Sequence, residues 1–155
     1  MSLLRITCEN IILTRPPLFR AILVSTFFTI EIQSDIGDSM CLSSGAGKEW
    51  LSVFLVKCSS STHEHYKIDE NGRMRNGRFK NYCLALDGER ASNFVTIKLK
   101  HCSQVFDSWL RTSDDRFTLS GSDKGISVAN AESGEEPFLS PPNSSYNQKW
   151  KMNPV

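Results

Sequence analysis

The sequence predicts an all-β fold of three four-stranded repeats of about 42 residues, related by a pseudo-threefold axis. The first observation is phased repetition. Cys41, Cys58 and Tyr66 form one line, Cys83, Cys102 and Trp109 a second, and Ile126, Pro142 and Trp150 a third without cysteines. The aromatic residues stand 43 and 41 positions apart, the first cysteines 42 and the second ones 44. The second observation is a series of short apolar runs, often alternating, with little helical period: Thr29–Gln33, Ser52–Lys57, Phe94–Lys100 and Arg116–Ser120. The third is turn chemistry between them. Asn71-Gly72 and Asn76-Gly77 are dipeptides that tolerate positive φ, and Asp87-Gly88, Ser120-Gly121 and Lys124-Gly125 mark further reversals. About a dozen strands so punctuated can close into a six-stranded barrel capped by three hairpins, which leaves no long exposed edge. A β-sandwich with coincidental spacing is the alternative.

Each element has a reason in order along the chain. Arg5, Arg15 and Arg20 precede the apolar run Ala21–Phe28, a pattern similar to a secretion signal. The run is too short to cross a bilayer as a helix. No clean small-residue cleavage site follows, and the run enters Phe27–Gln33, which alternates as a first strand should. Residues 1–26 therefore read as a poor signal, an extension packed on the domain, or a segment outside the mature protein. Residues 27–155 read as one domain. In each repeat an apolar strand carries the first cysteine position, and a variable loop leads to an apolar-x-apolar strand before the second. A short polar loop then opens on the aromatic anchor. Tyr66, Trp109 and Trp150 are expected at three equivalent points of the core.

Composition narrows the function. The 155 residues suit one domain with a real core. Eighteen Lys and Arg balance seventeen Asp and Glu, so no broad basic face for nucleic acid is expected. Of the five cysteines, two pairs sit 17 and 19 residues apart, unlike the CxxC of zinc or redox sites. The repeated spacing suggests one disulfide per repeat, Cys41 with Cys58 and Cys83 with Cys102, and hence an oxidising compartment. Four buried free thiols are the alternative. Cys8 lies outside the repeats.

These residues resemble the ricin-type β-trefoil lectin family, closest in style to the cysteine-rich domain of the mannose receptor and its relatives. The likeness rests on Cys41-Leu42, Val53–Cys58 and the degenerate His63-Glu-His-Tyr66. It continues in Cys83-Leu84, Ile97–Cys102 and Phe106-Asp-Ser-Trp109, then Ile126-Ser127, Phe138–Pro142 and an intact Asn147-Gln-Lys-Trp150. The resemblance implies a shallow sugar pocket within a repeat. There a carboxylate two residues after the first cysteine grips hydroxyls, an aromatic two before the second stacks on the sugar, and the Asn before Gln-x-Trp completes the bonding. This chain has Ser43, Ala85 and Val128 at the first of these positions and Val56, Lys100 and Ser140 at the second. A millimolar complex has only about 4 kcal/mol of binding free energy, and hydrogen bonds to a charged group supply roughly 1.5–3 kcal/mol each. An intact galactose pocket of the ricin kind is therefore not expected in any repeat. In the mannose-receptor branch an aromatic stands three residues before the last Trp; here that residue is Asn147. The third repeat keeps Asn130, Tyr146, Asn147 and Gln148, and these are the expected carbohydrate contacts. The competing reading is that Gln148 and Trp150 hold the barrel and Asn147 caps a turn.

Other patterns carry less. Gly45-Ala-Gly-Lys48 lacks the first glycine of a phosphate loop and has Glu49 where Ser or Thr belongs. His63 and His65 have strand spacing but no third metal ligand. Lys98 and Lys100, with Arg78 and Lys80 nearby, suggest a local anionic-glycan patch or an ordinary solvent face. Asn143-Ser-Ser145 is a glycosylation acceptor sequence. No catalytic set stands out, and no cofactor or metal is expected. The expected function is a non-catalytic, secreted or extracellular, lectin-like domain. Its partners are glycans or glycoproteins, with no nucleic acid and no membrane span. The alternative is a trefoil that binds other proteins, as a receptor module or protease inhibitor, with degenerate sugar sites.

Overall fold

The computed structural model of the chain describes residues 26–33, 39–45, 51–88, 93–143 and 146–155. Among them run twelve strands: β1 (Phe28–Ile32), β2 (Met40–Ser44), β3 (Val53–Lys57), β4 (His65–Ile68), β5 (Met74–Asn76), β6 (Tyr82–Leu86), β7 (Ile97–His101), β8 (Trp109–Arg111), β9 (Phe117–Leu119), β10 (Gly125–Ser127), β11 (Phe138–Ser140) and β12 (Trp150–Pro154). They fall into three sets of four.

Alternation drives the packing. In β1 the residues Phe28, Ile30 and Ile32 turn inward, while Thr29 and Glu31 face out. β1 and β12 pair antiparallel over their full length, from Phe28 opposite Pro154 to Ile32 opposite Trp150, joining the start of the domain to its end. β1 also pairs β4, which pairs β5, and β8 pairs β9. Two single backbone bonds close the remaining seams: Trp109 N–H to Gly72 C=O at 2.9 Å and Trp150 N–H to Asp115 C=O at 2.8 Å.

The hairpins β2–β3, β6–β7 and β10–β11 cap the barrel. Their cross-strand pairs Leu42–Leu55, Leu84–Leu99 and Ile126–Leu139 occupy equivalent registers, and all six side chains are fully buried. Each such burial contributes about 1.5–3 kcal/mol. The three hairpins touch one another: Leu55 N–H reaches Glu135 C=O, Leu99 N–H reaches Leu51 C=O, and Ile97 N–H reaches Pro137 C=O. The architecture is a β-trefoil.

Disulfides link Cys41 to Cys58 and Cys83 to Cys102, each with Cα atoms 5.1 Å apart. Both tie a hairpin's first strand to the residue that leaves its second. In the third repeat the strand register sets Gly125 opposite Ser140, as Cys83 is opposite Lys100 and Cys41 opposite Val56. The first landmark of the third line is therefore Gly125, and Ile126 matches Leu84, one place later than the sequence pattern suggests. Residue 127, not Val128, then occupies the carboxylate position.

Two turn assignments change as well. Gly72 has φ +77°, and a Cβ there would come within 2.9 Å of the Ser108 Cβ. Gly77 has no positive φ; it is needed because a Cβ would lie 2.7 Å from the His65 Cβ. Asn76 is the buried last residue of β5, not a hairpin tip. Gly125 likewise opens a strand instead of turning the chain. Cys8, nearly all of the signal-like segment and Ala46–Glu49 of the glycine-rich loop lie outside the described residues.

Candidate functional site

The three anchors are buried, with Tyr66 and Trp150 at 0% exposure and Trp109 at 1%. Each indole donates to a carbonyl of its own hairpin: Trp109 Nε1 to Leu84 O at 3.2 Å and Trp150 Nε1 to Ile126 O at 2.9 Å. The Tyr66 hydroxyl is buried without a hydrogen-bond partner. Burial pushes its phenol well above the ordinary value; neighbouring Asn76 eases the shift without completing a bond, and the Glu64 carboxylate adds to it.

Two residues before each anchor stand Glu64, Asp107 and Gln148. Glu64 is buried and accepts from Ser59 N–H (2.8 Å), Ser59 Oγ (2.6 Å) and Ser61 N–H (2.9 Å). Gln148, at 0% exposure, accepts from Asn143 N–H (2.9 Å) and donates to Ser140 Oγ and Pro141 O. Ser59 and Asn143 each follow the second-cysteine position by one, so the same bond recurs in repeats one and three. Asp107 is shorter and accepts from Leu86 N–H at 3.2 Å instead. Gln148 thus spends its amide inside the protein.

Three residues before each anchor stand His63, Phe106 and Asn147. His63 Nδ1 lies 3.0 Å from Ser44 Oγ, and its ring packs edge-on against Phe79. Phe106 is 95% exposed. Asn147 accepts Val128 N–H through its backbone carbonyl, while its side-chain Oδ1 is buried and has no partner.

Around Asn147, Ser127 occupies the carboxylate position and Ser140 the stacking position, and their hydroxyls bond to each other at 2.7 Å. Tyr146 contributes its backbone to the one-turn helix Tyr146–Gln148. Asn130 is exposed on the loop after β10, and Asn143 is exposed after β11. The third repeat therefore brings together Ser127, Ser140, Asn147 and Gln148 in a polar, uncharged group. Ser140 keeps the position the sequence pattern assigned it, whereas Ser127 could not be found until strand register corrected the phase.

Cys41, Cys58 and Glu64 form a cluster of possible metal-ligating atoms. The sulfurs are joined to each other and the carboxylate is held by Ser59 and Ser61, so this cluster offers no free ligand. No helix among the described residues is long and apolar enough to cross a membrane.

The model of the ricin-type beta-trefoil lectin domain matches residues 28–150. The chain belongs to the ricin-type β-trefoil lectin family. Solved members show the same fold at low identity. The agglutinin of Abrus precatorius superposes with a TM-score of 0.71 at 18% identity, covering 84% of this chain and 48% of its own. The C-half of an earthworm R-type lectin, solved with GalNAc, gives 0.67 at 12%, covering 84% and 99%. The β-trefoil lectin of the Vibrio vulnificus hemolysin/cytolysin, solved with N-acetyl-D-lactosamine, gives 0.61 at 18%, covering 83% and 94%. The chain thus spans about half the length of the Abrus agglutinin chain and nearly all of the earthworm half-lectin. No curated protein sequence matches it.

Proposed function

We propose that this ricin-type trefoil is a non-catalytic carbohydrate-recognition domain acting in a secreted or extracellular setting. The third repeat holds the sugar, with Asn147 as its main polar contact and Asn130 and Tyr146 as further candidate contacts. One observation carries the assignment: Asn147 Oδ1 is a buried acceptor with no protein partner, at the position where this family uses Asn to bind a sugar hydroxyl. An unpaired buried acceptor costs about 1–3 kcal/mol, which a donated hydroxyl would recover. Gln148 shapes the pocket from behind, its own bonds being spent on Ser140, Pro141 and Asn143. Ser127 in place of a carboxylate makes the contact weak, so millimolar affinity is expected. The two disulfides favour an oxidising compartment, and Asn143 is a candidate for glycosylation there.

A glycan array with folded, disulfide-intact protein tests the reading, and Asn147→Ala should abolish the signal without moving the melting temperature. An array without hits, sulfated glycans included, would sink it. A second reading draws on the exposed rings Phe106 and Phe94, at 95% and 71%. Exposed apolar rings suit a protein partner, and the domain would then be a protein-binding module with decayed sugar pockets. Phe106→Ala abolishing capture of a deglycosylated partner would favour it.

A further inference from the structure

A cleft of about 270 Å³ opens between repeats one and two, lined by Phe27, Lys67, Arg75, Asn76 and Lys80. Its lining residues belong to the first two repeats, with Phe27 C=O accepting Val155 N–H from the end of the last strand. Its charge is unbalanced for a local reason. Lys67 on β4 sits directly opposite Arg75 on β5. Like charges facing each other across paired strands are destabilising. Lys80, exposed on the loop after β5, adds a third cation at the same rim. The compensating carboxylate is Asp69, and Arg73 already shares it: Arg73 Nε lies 2.8 Å and Arg75 Nε 3.0 Å from Asp69 Oδ2. Two arginines therefore share one carboxylate, while Lys67 and Lys80 bring further positive charge to the cleft.

The cleft is held in shape by the bonds of Asn76 and Arg75, with the Arg75 charge shared between Asp69 and the cleft. Asn76 is fully buried. It accepts Arg78 N–H and Phe79 N–H and donates to His63 O, fixing the loop that carries Lys80 into the cleft lining. Arg75 is fixed by Asp69 and by the Lys80 carbonyl at 3.2 Å. Lys67 Nζ lies 5.1 Å over the Phe27 ring, which supplies an apolar wall. A volume just below the usual range for small-molecule sites suits one ring and one charged group. It does not suit an extended acidic peptide, and with a formal net charge of +1 the chain has no broad field for a membrane surface.

We infer that this cleft is an anion subsite that takes the sulfate or phosphate monoester of a sugar, with Lys67, Arg75 and Lys80 on the ester oxygens and Phe27 against the ring. This deepens the carbohydrate-binding reading and rests on it. The test is amide and side-chain NMR of the folded chain titrated with galactose, galactose 6-sulfate, galactose 6-phosphate and inorganic sulfate. A saturable shift of Lys67, Arg75, Asn76 and Gly77 is expected with the esters and not with galactose. The preferred ester tells sulfate from phosphate. Lys67→Gln with Lys80→Gln should weaken ester binding by at least about tenfold without lowering the melting temperature or altering the effect of Asn147→Ala on neutral glycans. Moderate salt should weaken it too. Shifts with neither ester, or ester binding unchanged in the double variant, would overturn the cleft while leaving the third repeat untouched. Binding of phosphatidylserine vesicles or an acidic peptide without either ester would overturn it in favour of those partners. Shifts with inorganic sulfate alone, on a protein without array hits, would remove the glycan from the cleft and the lectin reading together.

Discussion

Glu64, Asp107 and Gln148 occupy one position in three repeats, and the first and last meet the same demand with different chemistry. The backbone donor leaving the hairpin needs an acceptor; Glu64 and Gln148 reach it, while Asp107, a methylene shorter, takes Leu86 N–H instead. Gln148→Ala would remove the side-chain acceptor of Asn143 N–H and the donor to Ser140 Oγ and Pro141 O. A loss of about 1–3 kcal/mol is expected in denaturant melts, with the glycan signal falling only through the unfolded fraction. Tyr66 shows the converse. Its hydroxyl bonds to nothing while the indoles of Trp109 and Trp150 each find a carbonyl. Tyr66→Phe should therefore be neutral or stabilising by up to about 1 kcal/mol; a clear loss of stability would show that the hydroxyl has a partner after all.

At the scale of elements, the hairpins differ in their staples. The Cys83–Cys102 bridge is buried at both ends and packs with Ala85 and Val105, whereas Cys58 is partly exposed. Graded reduction followed by alkylation mapping should open Cys41–Cys58 first. Closing loops of 17 and 19 residues contributes roughly 3 kcal/mol each in the chain-entropy picture, so the Cys83→Ser, Cys102→Ser variant should melt well below the parent. The third hairpin has Gly125 and Pro142 at the matching positions, so its cohesion comes from Ser127, Ser140 and Gln148 instead. The turn between β4 and β5 has its own device. Burial alone would raise the Asp69 carboxyl, yet the Arg73 and Asn71 N–H groups and the Arg73 guanidinium hold it below the usual range. A depressed carboxylate stabilises the fold above its unfolded value, near pH 4, and that contribution is lost as pH falls through its folded value. Asp69→Asn should flatten the acid limb of a stability-against-pH curve below about pH 4, as measured by thermal melts.

Across the whole molecule, closure is what the repeats achieve together. β1 and β12 meet in a five-residue ladder, so the barrel forms only when both ends of the domain are present. Asp115 sits at this closure. With φ 66°, it accepts from Gln33 and Arg111 while its carbonyl receives Trp150 N–H. Gln33 foremost and then Arg111 hold its carboxyl below the ordinary range. Asp115→Ala should lower the melting temperature more than Asp114→Ala, because Asp114 is paired only locally with Thr112 and Arg116.

The sequence by itself determined the all-β class, the threefold period, the cysteine pairs and the three anchors. Those features repeat because symmetry demands equivalent residues at equivalent core points, and spacing along a chain records them directly. Only the tertiary structure decided the rest. Without a cysteine to mark the third repeat, apolar pattern alone set Ile126 in phase with Cys83. Strand pairing moved the phase to Gly125, because register is set by which residues face each other across a hairpin. The same limit hid the basic cleft. Lys80 groups in sequence with Arg78 and, across the hairpin, with Lys98 and Lys100. In space Lys98 pairs with Asp87, while Lys80 joins Lys67 and Arg75 at a seam between repeats. Charges that meet across strands leave no periodic trace in the chain, so the scaffold and Asn147 were legible in the sequence and the basic cleft was not.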